Sequence, residues 1–144
     1  MATDSSAHRS VTISRVSSTR FAVTNDRGGE IVIGMGERTE FTPVDLMLAA
    51  IGGCTAIDVD ILTSRRSEPE TFAVQVEADK IRDGEGNHLT NIVVTFKVSF
   101  PATPGGDEAR AILPDVVRKS HERLCTVSRT TELGTPIATR ISNG

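Results

Sequence analysis

The stretch of sequence that decides the fold is FTPVDLMLAAIGGCTAIDV, residues 41–59. Thr42 suits the N-cap of a helix, Pro43 suits its first turn, and Asp45 stands at the capping-box position. Apolar or small residues then recur at helical spacing, at positions 46, 50, 53/54, 57 and 61. The pattern predicts a helix over residues 43–66.

Cys54 lies in the middle of this helix, directly after Gly52 and Gly53. Two glycines in a helix interior cost about 1 kcal/mol each relative to alanine. Close approach of another backbone, or access to the sulfur, accounts for such a cost. The alternative is that Cys54 is a small buried hydrophobe, which is the commoner role of a helical cysteine. The helix pattern leaves both interpretations open.

Strand patterns surround the helix on both sides. Upstream, alternating segments at 11–16, 21–24 and 30–34 predict three strands, the last two joined as a hairpin by a turn at 26–29. Downstream, alternation over 72–78 and 91–100 predicts two strands, with a hairpin loop at 83–87.

The last part of the chain begins with a predicted linker, Pro101 to Gly106. A second helix is predicted from Asp107 to about Cys125, in which Pro114 either kinks the helix or marks its true start. A last strand is predicted over Thr135 to Ile141. The order indicates an α+β protein with a mainly antiparallel sheet and two helices. We expect one domain over residues 1–144, with residues 1–9 as a mobile tail.

Composition excludes several classes of protein. Of 144 residues, 38% are hydrophobic and 24% are charged, which is typical of a soluble globular domain. No apolar run approaches the ~20 residues of a membrane helix, and the N-terminus lacks the apolar core of a secretory signal. The net charge of −3 and the absence of Tyr and Trp argue against nucleic-acid binding. We therefore expect a cytoplasmic protein without membrane or nucleic-acid partners.

The chain has two cysteines, Cys54 and Cys125. Stable disulfides are rare in the cytosol, so the two are either a coincidence of buried residues or a working thiol pair. Basic residues flank Cys125 over positions 118–129, and their charge would favour a thiolate. The alternative is that they are the cationic last turns of a helix, stabilised by its dipole.

Two further side chains bear on the cysteines. His121 stands four residues before Cys125 and could bind zinc with both cysteines, but no local ligand pair supports a metal site, and we expect none. Asp58 follows Cys54 by one helical turn, where a carboxylate raises the pKa of a thiol. We interpret Asp58 as a solvated or helix-paired residue.

Together these segments resemble the OsmC/Ohr family. The stretch over residues 41–59 is similar to the family's proline-to-cysteine helix, and GGCTAIDV within it is similar to the less characterised OsmC-like branch. The segment LCTVS, residues 124–128, resembles the second cysteine segment of the family. The resemblance covers nearly the whole chain in the same order of elements.

The resemblance implies a fold, an activity and partners. The fold is an intertwined homodimer with antiparallel sheets wrapped around two main helices. The activity is that of a thiol-dependent peroxidase acting on organic hydroperoxides, with Cys54 as the peroxidatic and Cys125 as the resolving cysteine. Electrons come from a dithiol such as a lipoylated protein, and no cofactor is needed.

The sequence departs from the family at the residue after the proline, where hydroperoxide reductases have a glutamate and this chain has Val44. The family's activating arginine comes from the N-terminal strands, and Arg20 is the best match, with Arg15 and Arg27 as competitors. A second hypothesis follows from this departure. The protein is then a non-catalytic member that binds a small ligand or senses redox state.

Overall fold

The computed structural model describes residues 7–142. Within them the strands are β1 (Val11–Ser17), β2 (Arg20–Asn25), β3 (Glu30–Ile33), β4 (Thr71–Asp83) and β5 (Gly86–Ser99). The α-helices are α1 (Pro43–Ser64), α2 (Pro104–Lys119) and α3 (Thr126–Glu132), with a π-helical turn at Ser120–Leu124. All strand pairs of the two sheets are antiparallel, which confirms the predicted α+β class.

The chain groups into two compact units, Met1–Met47 and Leu48–Gly144. Helix α1 begins in the first unit and continues in the second. The organisation of residues 1–144 as a single domain stays a prediction. The predicted tail, residues 1–9, falls largely outside the described part of the chain, which starts at residue 7.

The first unit contains the three predicted strands, which form one sheet in the order β1-β2-β3. Asn25 closes the turn between β2 and β3, because its side-chain oxygen accepts from the backbone N–H groups of Arg27 and Gly29. The predicted capping box is also confirmed at the start of α1. The backbone N of Thr42 donates to Asp45 Oδ2 at 2.9 Å, and that of Asp45 donates to Thr42 Oγ1 at 3.1 Å.

The second unit contains a long hairpin of β4 and β5, in register from Thr71–Ser99 to Asp83–Gly86. The strands extend beyond their predicted ends because the connecting turn is tight and is closed by Asp83 Oδ1, which accepts from Glu85 N at 2.8 Å. Helix α1 packs closely against this hairpin at Gly52, where a Cβ atom would collide with Val76. Close packing thus explains the presence of Gly52, one of the two glycines before Cys54.

The second predicted helix needs correction. It starts at Pro104 rather than Asp107, because Thr103 caps it by accepting from Gly106 N at 3.0 Å. Pro114 lies inside the helix and does not mark its start. The α-helix ends at Lys119, where the π-helical turn begins, and α3 follows as a helix that the sequence pattern did not predict.

The predicted last strand, Thr135–Ile141, is wrong for the described chain, because these residues form no strand there. A strand exists only where a neighbouring edge accepts its backbone hydrogen bonds, and alternation in sequence does not supply that edge. The side chains of Ile137 and Ile141 are accordingly 90% and 97% exposed.

Helix α1 corrects the expectation that no segment of the chain is long and apolar enough for a membrane helix. Its 22 residues include an 18-residue window with a mean hydropathy of 1.6, so by length and composition it is apolar enough to cross a membrane. Core helices of soluble proteins share this composition. The close packing of Gly52 on Val76 gives α1 the role of a packing helix in the second unit.

Candidate functional site

The structure brings Cys54 and Cys125 together. Cys54 lies half-buried in the middle of α1, whereas Cys125 is fully buried between the π-helical turn and α3. Both thiols are free, and the two side chains lie close enough for each to shift the pKa of the other. The pair therefore has one accessible sulfur and one sheltered sulfur.

Cys125 is held by its own backbone and by the helix that follows it. Its backbone N donates to the Ser120 carbonyl at 2.8 Å, which closes the π-helical turn. Its sulfur accepts from the backbone N of Ser128 at 3.3 Å and so acts as the N-cap of α3. Both the position of Cys125 and the environment of its sulfur are thus defined by hydrogen bonds.

A buried chain of hydroxyl groups joins α1 to the π-helical turn. Ser120 Oγ donates to Asp58 Oδ2 at 2.7 Å and lies 2.7 Å from Thr55 Oγ1. Because a serine hydroxyl has one proton, Thr55 must donate to Ser120 when Ser120 donates to Asp58. The interpretation of Asp58 as solvated or paired within its helix was wrong, since its carboxylate binds a residue of another element.

The environment of Cys54 raises the pKa of its thiol on balance. Burial raises the pKa of the Cys54 thiol, and the neighbouring Cys125 and the Asp58 carboxylate raise it further, against a lowering bond from the Val127 backbone. The predicted direction of the Asp58 effect is confirmed. The thiol form of Cys54 is therefore stabilised.

Cys125 is shifted in the opposite direction. Burial alone raises the pKa of its thiol, but hydrogen bonds from Ser128, from the Cys54 thiol and from the Val127 backbone together lower it. Hydrogen bonds to the charged form favour that form. One of the two interpretations of the basic residues around Cys125 was that they lower the pKa of its thiol. The pKa is lowered, but the cause is hydrogen bonding and not the nearby cations. The charged form is thus favoured more at Cys125 than at Cys54.

An apolar groove of about 440 Å³ lies within the second unit. Its walls include Ile51, Val94 and Phe96, and it is also lined by Thr55 and Ser128. Thr55 follows Cys54 in sequence, and Ser128 donates to the Cys125 sulfur. The groove therefore adjoins the residues that hold both cysteines.

His121 does not join the cysteines as a metal ligand. Its Nε2 lies 3.2 Å from Oε1 of Glu132, the last residue of α3. Both residues line the groove. Among the residues that were searched, no group of three His, Cys, Asp or Glu side chains could hold a metal ion.

The first unit contains the candidate arginines. Arg20 begins β2, and its Nε donates to Glu40 Oε1 at 2.7 Å. The side chains of Arg20 and Glu40 are 33% and 11% exposed. Arg15 on β1 and Arg27 in the β2–β3 turn are exposed. Of the three arginines, Arg20 is thus the one held in place by a carboxylate.

Glu40 is a residue that sequence reasoning missed. Its pKa is lowered by its own backbone N–H and by Arg20, so it is an anion at neutral pH. Its second oxygen, Oε2, is buried and has no hydrogen-bond partner among the described residues. The sequence offered no signal for Glu40, because the pairing depends on how the segment after β3 folds. Ser120 did carry a signal, because it is a polar residue at spacing four from the apolar Val116 and Leu124.

Comparison with known proteins identifies the family. A family model described as OsmC-like protein matches residues 35–140. The chain belongs to the OsmC family. The comparison with curated proteins gave no match. The predicted OsmC-like fold of the chain is confirmed, whereas the homodimer and the assignment to the Gly-Gly-Cys branch stay predictions.

Several solved structures share the fold. A hypothetical protein from Aquifex aeolicus VF5 has a TM-score of 0.71 at 21% identity, over 90% of this chain and 91% of that chain. An organic hydroperoxide resistance protein OsmC from Legionella pneumophila has a TM-score of 0.60 at 18% identity, over 87% and 90%. The organic hydroperoxide resistance protein OhrB of Bacillus subtilis has a TM-score of 0.55 at 20% identity, over 87% and 90%.

Proposed function

We propose that this OsmC family protein reduces organic hydroperoxides, with Cys54 as the attacking thiol and Cys125 as the resolving thiol. The observation that carries the proposal is the proximity of a half-exposed Cys54 to a fully buried Cys125, close enough for each to shift the pKa of the other. The names of the structurally similar proteins, which include organic hydroperoxide resistance proteins, agree with this activity.

The first step uses the unequal charge of the pair. The Cys54 proton passes to the Cys125 thiolate, and the Cys54 sulfur then attacks the terminal oxygen of the hydroperoxide. The S–O bond forms as the O–O bond breaks, which leaves Cys54 as a sulfenic acid. The departing alkoxide takes the proton from Cys125 and leaves as the alcohol, so that Cys125 is again a thiolate.

The second step closes the disulfide. The Cys125 thiolate attacks the Cys54 sulfur, the S–S bond forms, and hydroxide leaves. An external dithiol, such as a lipoylated protein, then reduces the disulfide by thiol–disulfide exchange and is itself oxidised to a disulfide. No metal, flavin or haem takes part in the proposed cycle.

Arg20 is the proposed activating residue. A guanidinium stabilises the negative charge that develops on the attacking and leaving atoms. The bond from Arg20 to Glu40 supports Arg20 over Arg15 and Arg27, since a positioned cation is more effective than a solvated one.

The proposal also includes the oligomeric state and the location of the protein, which we propose to be a homodimer in the cytoplasm. Helix α1 exposes large apolar side chains, of which Ile57 and Ile61 are 63% and 52% exposed. Apolar surface of this kind is typical of protein interfaces. Static light scattering at micromolar concentration should give the mass of two chains, and a monomer there would contradict the dimer.

The test is steady-state reduction of cumene hydroperoxide with a dithiol donor such as dihydrolipoamide. The wild type should turn over repeatedly, and Cys54→Ser should abolish turnover. Cys125→Ser should permit one oxidation, after which Cys54 is trapped as a sulfenic acid that dimedone labels. If either single variant sustains wild-type turnover with the same donor, that cysteine is not part of the cycle.

The apolar groove favours a second candidate function. A non-catalytic member would bind a small apolar or thiol ligand there, or sense redox state, with Cys54 kept as a thiol by its raised pKa. Val44, in place of the family's glutamate, fits this candidate as well. A binder or sensor would be oxidised at most once per chain in the same assay, which separates the two functions.

A further inference from the structure

We propose that Thr55, Asp58 and Ser120 are positioning residues that hold the Cys125 sulfur in place for disulfide closure with Cys54. The inference deepens the proposed function, because it concerns the resolving step of the same pair of cysteines. It is carried by the hydrogen bonds between α1 and the π-helical turn.

The first step of the argument is that Ser120 has one stable position. It is fully buried, and Thr55 beside it is 5% exposed. Ser120 uses its only proton on Asp58 and one of its two lone pairs on Thr55. A shift of Ser120 would leave a carboxylate and a hydroxyl without partners in a buried place, which is unfavourable. The network therefore fixes the π-helical turn to α1.

The second step connects Ser120 to Cys125. The backbone N of Cys125 donates to the Ser120 carbonyl across the π-helical turn, at 2.8 Å. π-Helical turns occur often at functional sites, and this one ends directly before a reactive side chain. The position of Ser120 thus sets the position of the residue that follows the turn.

The third step is that the same network begins next to Cys54. Thr55 follows Cys54 in α1, and Asp58 lies one helical turn further on. Both ends of the prospective disulfide are therefore tied to one set of hydrogen bonds. A displacement of about 1 Å between reacting atoms can slow a reaction on the order of 10²-fold. Loss of the network should slow closure of the disulfide and leave the reactivity of Cys54 toward an external reagent intact.

The experiment measures closure without peroxide, so that it stands apart from the proposed activity. Ellman's reagent converts the half-exposed Cys54 to a mixed disulfide and releases one thionitrobenzoate. The Cys125 thiolate then attacks the Cys54 sulfur, the S–S bond forms, and a second thionitrobenzoate leaves. The two releases are followed by stopped-flow absorbance.

The variants separate positioning from general loss of stability. In Ser120→Ala the second release should be about 10- to 100-fold slower than in the wild type, and the first within about twofold. Asp58→Ala should slow the second release to the same extent, and Asp58→Asn should restore closure, because its amide oxygen still accepts from Ser120. Thr63→Val is the matched control, since Thr63 is also a buried α1 hydroxyl but binds only Val59 of its own helix.

The outcomes are distinct from those of the peroxidase assay. If Ser120→Ala and Asp58→Ala close as fast as Thr63→Val, the positioning role is overturned while the proposed activity stands. If the wild type gives no second release, Cys125 does not resolve Cys54, and both ideas fail. If the wild type closes rapidly but does not turn over peroxide, only the proposed activity fails.

Discussion

Two polar clusters of the chain, each within one compact unit, differ in how completely their hydrogen bonds are made. The cysteine cluster (Cys54, Thr55, Asp58, Ser120 and Cys125) is closed around a fully buried serine that both donates and accepts a hydrogen bond. The arginine cluster (Arg20 and Glu40) has one short ion pair, and it leaves the buried Glu40 Oε2 without a partner among the described residues.

The difference shows how tightly the hydrogen bonds within each unit specify the arrangement of the side chains in its cluster. A buried network with every group satisfied specifies one arrangement, because any change leaves a polar atom unpaired. The arginine cluster has capacity for one more donor, so its arrangement is less tightly specified. We expect substitutions in the cysteine cluster to change geometry and pKa values, and those in the arginine cluster to act mainly through charge.

The largest expected effect tests whether the arginine cluster serves the thiol chemistry at all. Arg20→Ala should slow the oxidation of Cys54 by one equivalent of cumene hydroperoxide by about 100-fold, because it removes a positioned cation from the developing charge. Mass spectrometry of non-reduced peptides measures the rate through the Cys54–Cys125 link. Arg15→Ala and Arg27→Ala are matched controls and should stay within about twofold. An unchanged rate in Arg20→Ala moves the activating role to one of these two.

A second pair of variants probes the packing that carries the cysteine cluster. Gly52→Ala should destabilise the fold by about 1–3 kcal/mol, because the new methyl group collides with Val76. Gly53→Ala meets open space and should stabilise α1 by about 0.5–1 kcal/mol. Urea unfolding followed by circular dichroism measures both. Equal effects of the two variants would show that close packing does not explain Gly52.

The pKa difference within the cysteine cluster predicts a two-step thiol titration. The first proton should leave below the ordinary pKa of a thiol, because Cys125 is lowered, and the second above it, because Cys54 is raised. Asp58→Asn removes a neighbouring negative charge and should lower the pKa of Cys54. Ultraviolet absorbance of the thiolate follows both steps. A single step at the ordinary pKa would contradict the charge assignment.

The smallest effect concerns acid stability in the arginine cluster. The pKa of Glu40 is lowered from 4.5, so its contribution is present above pH 4.5 and is lost as the pH falls through the folded value. Glu40→Gln should therefore lower the Tm slightly at pH 7, and the difference from the wild type should shrink below pH 4.5. Glu37→Gln, an exposed change in the same segment, is the control. A constant difference across this range would remove Glu40 from the acid response.

Local patterns predicted the elements whose signals lie within a few residues of each other. The capping box at Thr42 and Asp45 and the alternation of the five strands are of this kind, and the structure confirms them. The end of the second helix could not be predicted in the same way. The hydrogen bonds from Ser120 to Asp58 and Thr55 fix the π-helical turn, and they cross more than 60 positions of sequence.

The candidate site also has features that the sequence predicted and features that it did not. The meeting of Cys54 and Cys125 was expected from the family resemblance, and the effect of Asp58 on a nearby thiol followed from helical spacing. The role of Ser128 depends on α3, which the apolar pattern did not indicate, and Glu40 pairs with Arg20 only in the folded first unit. Single polar contacts between distant segments leave no periodic trace in a sequence.

The N-cap of α3 is a sulfur atom, and this gives the helix a connection to redox chemistry. The bond from Ser128 N to Cys125 Sγ is strongest when that sulfur carries a charge, because a thiolate accepts better than a thiol or a disulfide sulfur. Oxidation of Cys125 thus weakens the cap of the helix that follows it. The Ser128 amide should exchange its hydrogen faster in the oxidised protein than in the reduced one. A single backbone amide then reports the oxidation state of the protein without any added probe.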